Sequence, residues 1–200
     1  MLSPSTSNAG PARGTAAGFA SVRDLAYCAV FAALIIVLAF VSIPVGAAGV
    51  PIVAQNAAII LTGLVLGPRR GLITVTTVLA LGLVLPVLAG GRHVIGALAG
   101  PTVGYIVGYV VCVIVGGAIA YRAPRSRGVA TTVLISVAGI CALATQYLCG
   151  ALGLWARAGL SAMQALAAQV PFVLPDAAKL IVVILVAISV RAAFPQLHQR

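Results

Sequence analysis

Six long apolar runs follow one another along this chain of 200 residues, and they restrict its fold more than any other feature. They cover about residues 25–43, 52–66, 71–89, 97–121, 128–154 and 176–194. Only 7% of the residues are charged and 62% are hydrophobic, whereas about 25% of the residues of a soluble domain are charged. The chain lacks the charge to cover a surface in water, which excludes a soluble enzyme, a nucleic-acid-binding domain and a disordered chain. The sequence predicts an all-α, polytopic membrane protein.

The lengths of the runs predict six transmembrane helices in a single membrane domain, residues 23–194. A spanning helix needs roughly 20 apolar residues, and five of the runs reach or approach that length. The run at 52–66 is shorter, so we expect it to be tilted, broken or partly re-entrant. The milder residues 156–172 predict an interfacial or short helical connection. Residues 1–22 predict a disordered cytoplasmic leader, and residues 195–200 a short cytoplasmic tail.

The basic residues predict the orientation of these helices in the membrane. Of the 12 Lys and Arg residues, nine lie in one alternating set of gaps between the runs, and Arg92, Arg157 and Lys179 lie in the other. The cytoplasmic loops of membrane proteins carry the excess of Lys and Arg. Both termini are therefore predicted to be cytoplasmic, which requires an even number of spans. This bias also accounts for the net charge of +10, so we expect no nucleic-acid partner.

Polar residues gather on the predicted outer side. Asp176 and Lys179 are three residues apart and therefore lie on one helix face. A charged residue costs about 2.5–3.5 kcal/mol at the centre of a membrane helix, so something must offset that cost. One account is local: an acid in the first helical turn suits the helix dipole, and the lysine extends to the interface. The other account is a polar ligand pocket, for which the same side also offers Gln55, Asn56, Gly91, Arg92, Thr102 and Tyr105.

Small residues four apart predict close contacts between helices. Ala29 and Ala33 have this spacing in the first run, and Gly104 and Gly108 have it in the fourth. In lipid such pairs let two helices approach closely. Each pair either packs inside the bundle or forms a docking face for a partner membrane protein. The Gly-Pro-Thr at 100–102 predicts a break in the fourth helix, which a membrane tolerates where the backbone is buried in protein or lines a cavity.

The sequence lacks several common motifs of enzymes. It contains none of the patterns GxxxxGK[ST], GxSxG and HExxH, which mark nucleotide hydrolases and hydrolytic enzymes. His93 and His198 lie on opposite predicted sides, so they cannot form one site. We therefore expect neither catalysis nor a metal or other cofactor. Active transport by such a chain has to draw on a partner or on an ion gradient.

The chain resembles the BioY family, the biotin-specific substrate-binding (S) components of energy-coupling factor (ECF) transporters. The resemblance runs from about Arg23 to Ala193. It rests on the order of six pieces: RDLAYCAVFAALI (23–35), IPVGAAGVPIVAQ (43–55), LTGLVLGPRRG (61–71), GLVLPVLAGG (82–91), GPTVGYIVGY (100–109) and PFVLPDAAKL (171–180). It implies a six-helix bundle that binds biotin in an outward pocket and works with a transmembrane T component and two cytoplasmic ATPases. Some members are reported to act without these partners, so solitary transport stays open.

The resemblance also implies roles for particular residues. The acid and the lysine of the family's D-x-x-K motif contribute to the biotin site, and they match Asp176 and Lys179. The small residues implicated in contact with the T component match Ala29 and Ala33. Transport in the family is thought to involve tilting of the whole S component in the bilayer.

Biotin has groups that suit these residues. Its ureido ring carries two N–H donors and a carbonyl, so an ionised Asp176 would accept from an N–H, and Lys179 or Tyr105 would donate to the carbonyl. Arg92 would pair with the ligand's carboxylate. Some relatives hold the ligand with an Asn in the loop before the fourth run, where this chain has none; backbone amides, Arg92 or Asn56 would replace it. Another small vitamin, or a membrane scaffold without a ligand, stays open.

Overall fold

A computed structural model describes residues 22–43, 52–124, 128–194 and 197 of the chain. The predictions for the leader and the tail lie outside the described residues, apart from Val22 and Leu197. The described residues form seven helices and one antiparallel pair of short strands. In chain order these are α1 (Val22–Ala39), β1 (Ser42–Ile43), β2 (Ile52–Val53), α2 (Gln55–Leu81), α3 (Val94–Ala99), α4 (Val103–Ala120), α5 (Val129–Arg157), α6 (Ala162–Ala167) and α7 (Val170–Ala193). The predicted all-α class is confirmed, with this pair of strands as a small addition.

Helix α2 is a hairpin of two antiparallel arms that meet at Gly67. The backbone of Gly67 has φ 80° and ψ −176°, a conformation that is essentially restricted to glycine, and Pro68 cannot donate the next helical hydrogen bond. A Cβ atom on Gly71 would lie 3.5 Å from the Cα atom of Gly63, although residues eight apart in a continuous helix are separated by about 12 Å. The chain therefore turns back at Gly67, and the second and third apolar runs are separate rods.

Both arms of α2 are short. Residues 55–66 rise about 18 Å and residues 68–81 about 21 Å, against roughly 30 Å for the hydrocarbon core of a bilayer. The third helix was expected to reach residue 89, but it ends at Leu81, and residues 82–93 form turns. By length and composition five described helices can cross a membrane when α2 is counted once. Divided at Gly67, α2 contributes two short arms in place of one long helix, so the described bundle has six rods, of which these two are shorter than a full span.

Both ends of the described chain lie at one end of the bundle, which we call the hairpin end because Gly67 lies there. Arg70 pairs with Asp24, near the start of α1, over 3.0 Å and donates to the carbonyl oxygen of Leu197 over 2.8 Å. Arg191, near the end of α7, is also buried at this end, where it donates to carbonyl oxygens of α2 and α4. The first and last long helices thus have their chain ends on the same side, as an even number of spans requires.

Glycines let α4 and α5 pack in direct contact. A Cβ atom on Gly104 would collide with the carbonyl oxygen of Cys149, and one on Gly108 would lie 3.3 Å from the Cα atom of Gln146. This small-residue pair therefore packs inside the bundle, and the alternative of a docking face is wrong for it. The predicted break at Gly100 is confirmed, because this residue separates α3 from α4.

The segment before the last apolar run differs in part from the prediction. The short connecting helix is confirmed as α6, which begins at a capping box between Ser161 and Gln164. Helix α7, however, begins at Val170 rather than near residue 176, because Pro171 is tolerated in a first turn. Asp176 therefore lies in the second turn of α7, and the account that placed it in the first turn, against the helix dipole, is wrong.

The outward faces of the long helices are apolar. Val37, Ile140, Leu148 and Leu185 are each more than half exposed. Contiguous apolar surface of this extent is unusual for a soluble monomer, whereas a bilayer supplies lipid to cover it. The structure agrees with a multi-pass membrane protein.

Candidate ligand-binding site

A partly polar cavity lies at the end of the bundle opposite the hairpin end. Its volume is about 40 Å³. Residues from β2, α2, α4, α5 and α7 line it: Ile52, Val53, Asn56, Tyr105, Tyr109, Gln146, Tyr147, Phe172 and Asp176. Three of them, Asn56, Tyr105 and Asp176, were predicted as site residues from the sequence, so the structure brings these three together.

Asp176 is the centre of the polar network at the cavity. Its side chain is 5% exposed. One carboxylate oxygen, Oδ1, accepts from Asn56 Nδ2 over 3.1 Å and pairs with the ammonium of Lys179, and Oδ2 accepts from the Tyr147 hydroxyl over 2.8 Å. A carboxylate has about four acceptor positions, so three donors leave one for a ligand. The buried charge is paired and hydrogen-bonded, as burial of a charge requires.

Lys179 uses its donors within the protein. Its ammonium donates to the carbonyl oxygen of Val53 over 2.7 Å and to Asn56 Oδ1 over 3.1 Å, and it pairs with Asp176. An ammonium has three N–H donors, so each has a partner, and Lys179 is not among the lining residues. In this arrangement Lys179 positions Asp176 and Asn56, and it does not offer a donor to a ligand directly.

Neutral side chains complete the walls. One N–H of Asn56 Nδ2 bonds to Asp176, which leaves the second for a ligand. The Tyr105 hydroxyl donates to Gln169 Oε1 over 2.8 Å, so it keeps only acceptor capacity. The expected donation from Tyr105 to a ligand carbonyl therefore does not fit this arrangement. Phe172, at the start of α7, supplies an apolar wall between these groups.

Tyr109 and Gln146 form the floor of the cavity. Tyr109 lies one helical turn after Tyr105 on α4, and therefore further from the start of that helix. Both Tyr109 and Gln146 are buried. Gln146 Nε2 donates to the sulfur of Cys112 over 3.2 Å, and the Cys112 thiol donates to the carbonyl oxygen of Tyr109 over 3.3 Å. The floor is therefore polar but carries no charge.

Four predicted site residues lie away from the cavity in the part of the chain that the structure describes. Gln55 is buried and donates to the carbonyl oxygen of Val87 over 2.9 Å. Thr102 is buried just before α4. Gly91 and Arg92 belong to the exposed loop of residues 82–93, and Arg92 Nε donates to a carbonyl of its own loop over 3.2 Å. Arg92 is thus not among the residues that line the cavity, and its pairing with a ligand carboxylate stays a prediction.

The predicted partner-contact residues lie on the outside of α1. Ala29 and Ala33 are exposed, whereas Cys28, Ala32 and Ile35 face the bundle. Packing inside the bundle is therefore wrong as an account of Ala29 and Ala33. Their face of α1 is available for contact with another membrane protein or with lipid.

Six lining residues were missed by the sequence reasoning: Ile52, Val53, Tyr109, Gln146, Tyr147 and Phe172. Two of them carried a signal. Gln146 is a strongly polar residue in the middle of a long apolar helix, and Tyr109 follows Tyr105 by four residues, which places both on one helix face. The others resemble ordinary packing residues until the helices are in place.

The comparisons agree with the resemblance inferred from the sequence. The model of the BioY family matches residues 10–196 of this chain. A biotin transporter BioY from Rhizobium etli is 36% identical over 185 residues, which cover 90% of this chain and 99% of that protein. One from Rhodobacter capsulatus is 39% identical over 177 residues, with coverage of 82% and 91%. A crystal structure at 2.1 Å of the S-component for biotin from an ECF-type ABC transporter matches with a TM-score of 0.77 and 28% identity, and covers 85% of this chain and 91% of that one.

Proposed function

Because the chain belongs to the BioY family, we propose that it is the biotin-binding S component of an ECF-type transporter and serves biotin uptake across the membrane. The cavity is the observation that carries this proposal. It places the buried carboxylate of Asp176, with one free acceptor position, beside neutral donors and aromatic walls. A ligand that is mostly apolar but carries a few N–H and carbonyl groups matches such a site.

The groups of biotin fit this inventory. A ureido N–H donates to the remaining acceptor position of Asp176, and the free N–H of Asn56 donates to the ureido carbonyl. The apolar part of the bicyclic ring packs against Phe172 and Ile52. Lys179 pairs with Asp176 and holds its carboxylate in place. Asp176 holds three donors before a ligand arrives, an arrangement that suits recognition of a donor rather than proton transfer in an enzyme.

Biotin enters only if a wall of the cavity moves. The volume of about 40 Å³ is small beside the roughly 300–1,000 Å³ of ordinary ligand pockets. Gln169, three residues before the lining residue Phe172, accepts a hydrogen bond from the hydroxyl of Tyr105 on α4. This bond joins two neutral groups, so it costs less to break than the charge-assisted bonds of Asp176.

Energy for uptake is proposed to come from a transmembrane T component and two cytoplasmic ATPases, as in ECF-type transporters. The exposed face of α1 that carries Ala29 and Ala33 is the proposed contact with the T component. Small residues there permit the close approach of a second helix. The excess of Arg at the hairpin end supports a cytoplasmic location for that end and for both termini.

Uptake of radiolabelled biotin by cells that express the chain with and without the partner components tests this proposal. We expect uptake only with the partners. The double variant Ala29→Leu/Ala33→Leu should lose uptake and retain biotin binding, whereas Ala144→Leu, at an exposed alanine of α5, should lose neither. Equal uptake without partners would contradict the role of the T component and indicate solitary transport. Absence of both binding and uptake would contradict the proposed function.

A further inference from the structure

Two polar groups on the floor of the cavity have no hydrogen-bond partner within the described residues. One is the carbonyl oxygen of the Gln146 side chain, and the other is the hydroxyl of Tyr109. Gln146 is 2% exposed and Tyr109 is 8% exposed, and both line the cavity. Since both residues line the cavity, a ligand there can supply the hydrogen bond that each of these two groups lacks. These two groups therefore indicate a second recognition point, distinct from Asp176.

The thiol of Cys112 determines which end of the Gln146 carboxamide faces the cavity. Its S–H donates to the carbonyl oxygen of Tyr109 over 3.3 Å, so the sulfur is left as an acceptor. It therefore receives the NH₂ group of Gln146, over 3.2 Å. The carbonyl oxygen of the same carboxamide then points towards the cavity. A close approach of α4 and α5 at Gly108 brings Gln146 to this depth.

We propose that Gln146, oriented by Cys112, determines the specificity of the site by accepting an N–H of a neutral urea-type group on the ligand. Tyr109 donates its hydroxyl proton to an acceptor of the same ligand. The inference rests on the proposed function: the ureido ring of biotin has two N–H groups, of which Asp176 accepts one and Gln146 the other. Cys112 is a positioning residue and does not touch the ligand.

Affinity measurements on the purified protein in detergent test this inference. The ligands are biotin and its two analogues that carry a methyl group on one ureido nitrogen. Gln146→Leu should weaken biotin binding by about 5- to 100-fold, the effect of a buried N–H left without an acceptor. One of the two methylated analogues lacks the N–H that Gln146 is proposed to accept. This analogue should bind Gln146→Leu at least as tightly as it binds the wild type. Thr145→Val is the matched control on α5, because its hydroxyl bonds only to its own helix, and it should bind biotin normally.

The outcomes separate this inference from the proposed function. If the wild type binds no biotin, the proposed function fails. The inference on Gln146 is overturned, and the proposed function stands, in two cases where the wild type binds biotin. In the first, Gln146→Leu binds biotin as tightly as the wild type does. In the second, its affinities for biotin and for both methylated analogues fall by the same factor. If Gln146→Leu does not fold, the Cys112 variants decide. Cys112→Ser, which keeps a donor and an acceptor, should retain the affinity that Cys112→Ala loses, and equal affinities of the two would overturn the inference.

Discussion

Replacing Asp176 with Asn removes the one charged side chain among the described residues that line the cavity. The carboxylate is 5% exposed and holds Lys179, Asn56 and Tyr147. Loss of a hydrogen bond to a charged acceptor costs about 1.5–3 kcal/mol, which corresponds to an affinity about 10- to 100-fold weaker. The variant also leaves the ammonium of Lys179 without its counter-charge, which costs about 3–5 kcal/mol in a fully buried pair. Lys179 is 23% exposed and keeps two carbonyl partners, so the loss of stability should fall below that range.

Isothermal titration of the detergent-solubilised variant with biotin measures the first effect, and thermal unfolding measures the second. The chain offers a matched control in Asp24→Asn, because Asp24 forms an ion pair at the hairpin end, far from the cavity. Asp24→Asn should leave the dissociation constant for biotin unchanged. Unchanged affinity in folded Asp176→Asn would refute the reasoning, since it would show that the carboxylate does not touch the ligand.

The double variant Asp176→Asn/Lys179→Met separates binding from stability. Removing the lysine also removes the unpaired ammonium, so the thermal stability lost in Asp176→Asn should largely return. Biotin affinity should stay low, because the charged acceptor at position 176 is still absent. Recovery of affinity in the double variant would mean that Asp176 serves only to neutralise Lys179.

Two further predictions concern the hairpin end. Arg191→Met should lower the free energy of unfolding by about 1.5–3 kcal/mol, because the buried guanidinium donates to two backbone carbonyls. The control Arg122→Met, at an exposed arginine of the same end, should change the free energy of unfolding little. Equal stability of the two variants would contradict this prediction. Gly67→Ala should impair folding, because the backbone of Gly67 has φ 80° and an added Cβ would collide with the ring of Tyr121. The control Gly90→Ala, at a residue with φ 72° and open space around it, should lower the stability by only about 1–2 kcal/mol. Equal yields of the two folded variants would refute the expected difference.

Much of the bundle could be predicted because local rules determine it. The break at Gly100 follows from the Gly-Pro pair, and the short helix α6 follows from the milder composition between two apolar runs. Asp176 and Lys179 were expected on one face from their spacing, and the structure pairs them directly. The bias of basic residues predicted that both ends of the membrane domain lie on one side.

The start of α7 could not be predicted because either of two prolines could lie in its first turn. Pro175 suits a helix start, and the helix was predicted to begin beside it, but Pro171 suits a helix start equally well. The structure begins the helix at Val170 and accepts Pro175 in its interior. Packing of Phe172 against residues of α5 and α6 stabilises this longer helix. Such tertiary contacts cannot be read from the local sequence.

The floor of the cavity was missed for a related reason. Tyr109, Cys112 and Gln146 come from two helices, and their relation depends on how closely Gly108 lets those helices approach. The role of Lys179 depends on the three-dimensional arrangement in the same way. The residue was found from its rarity, but only the three-dimensional arrangement shows that Val53 and Asn56 already occupy its donors.

Titration of the purified wild-type protein in detergent with biotin, beside thiamine and riboflavin, tests the central claim most directly. The cavity and the family predict saturable binding of biotin and no response to the other two vitamins. A folded sample that does not respond to biotin, or that binds one of the other vitamins instead, would contradict the claim.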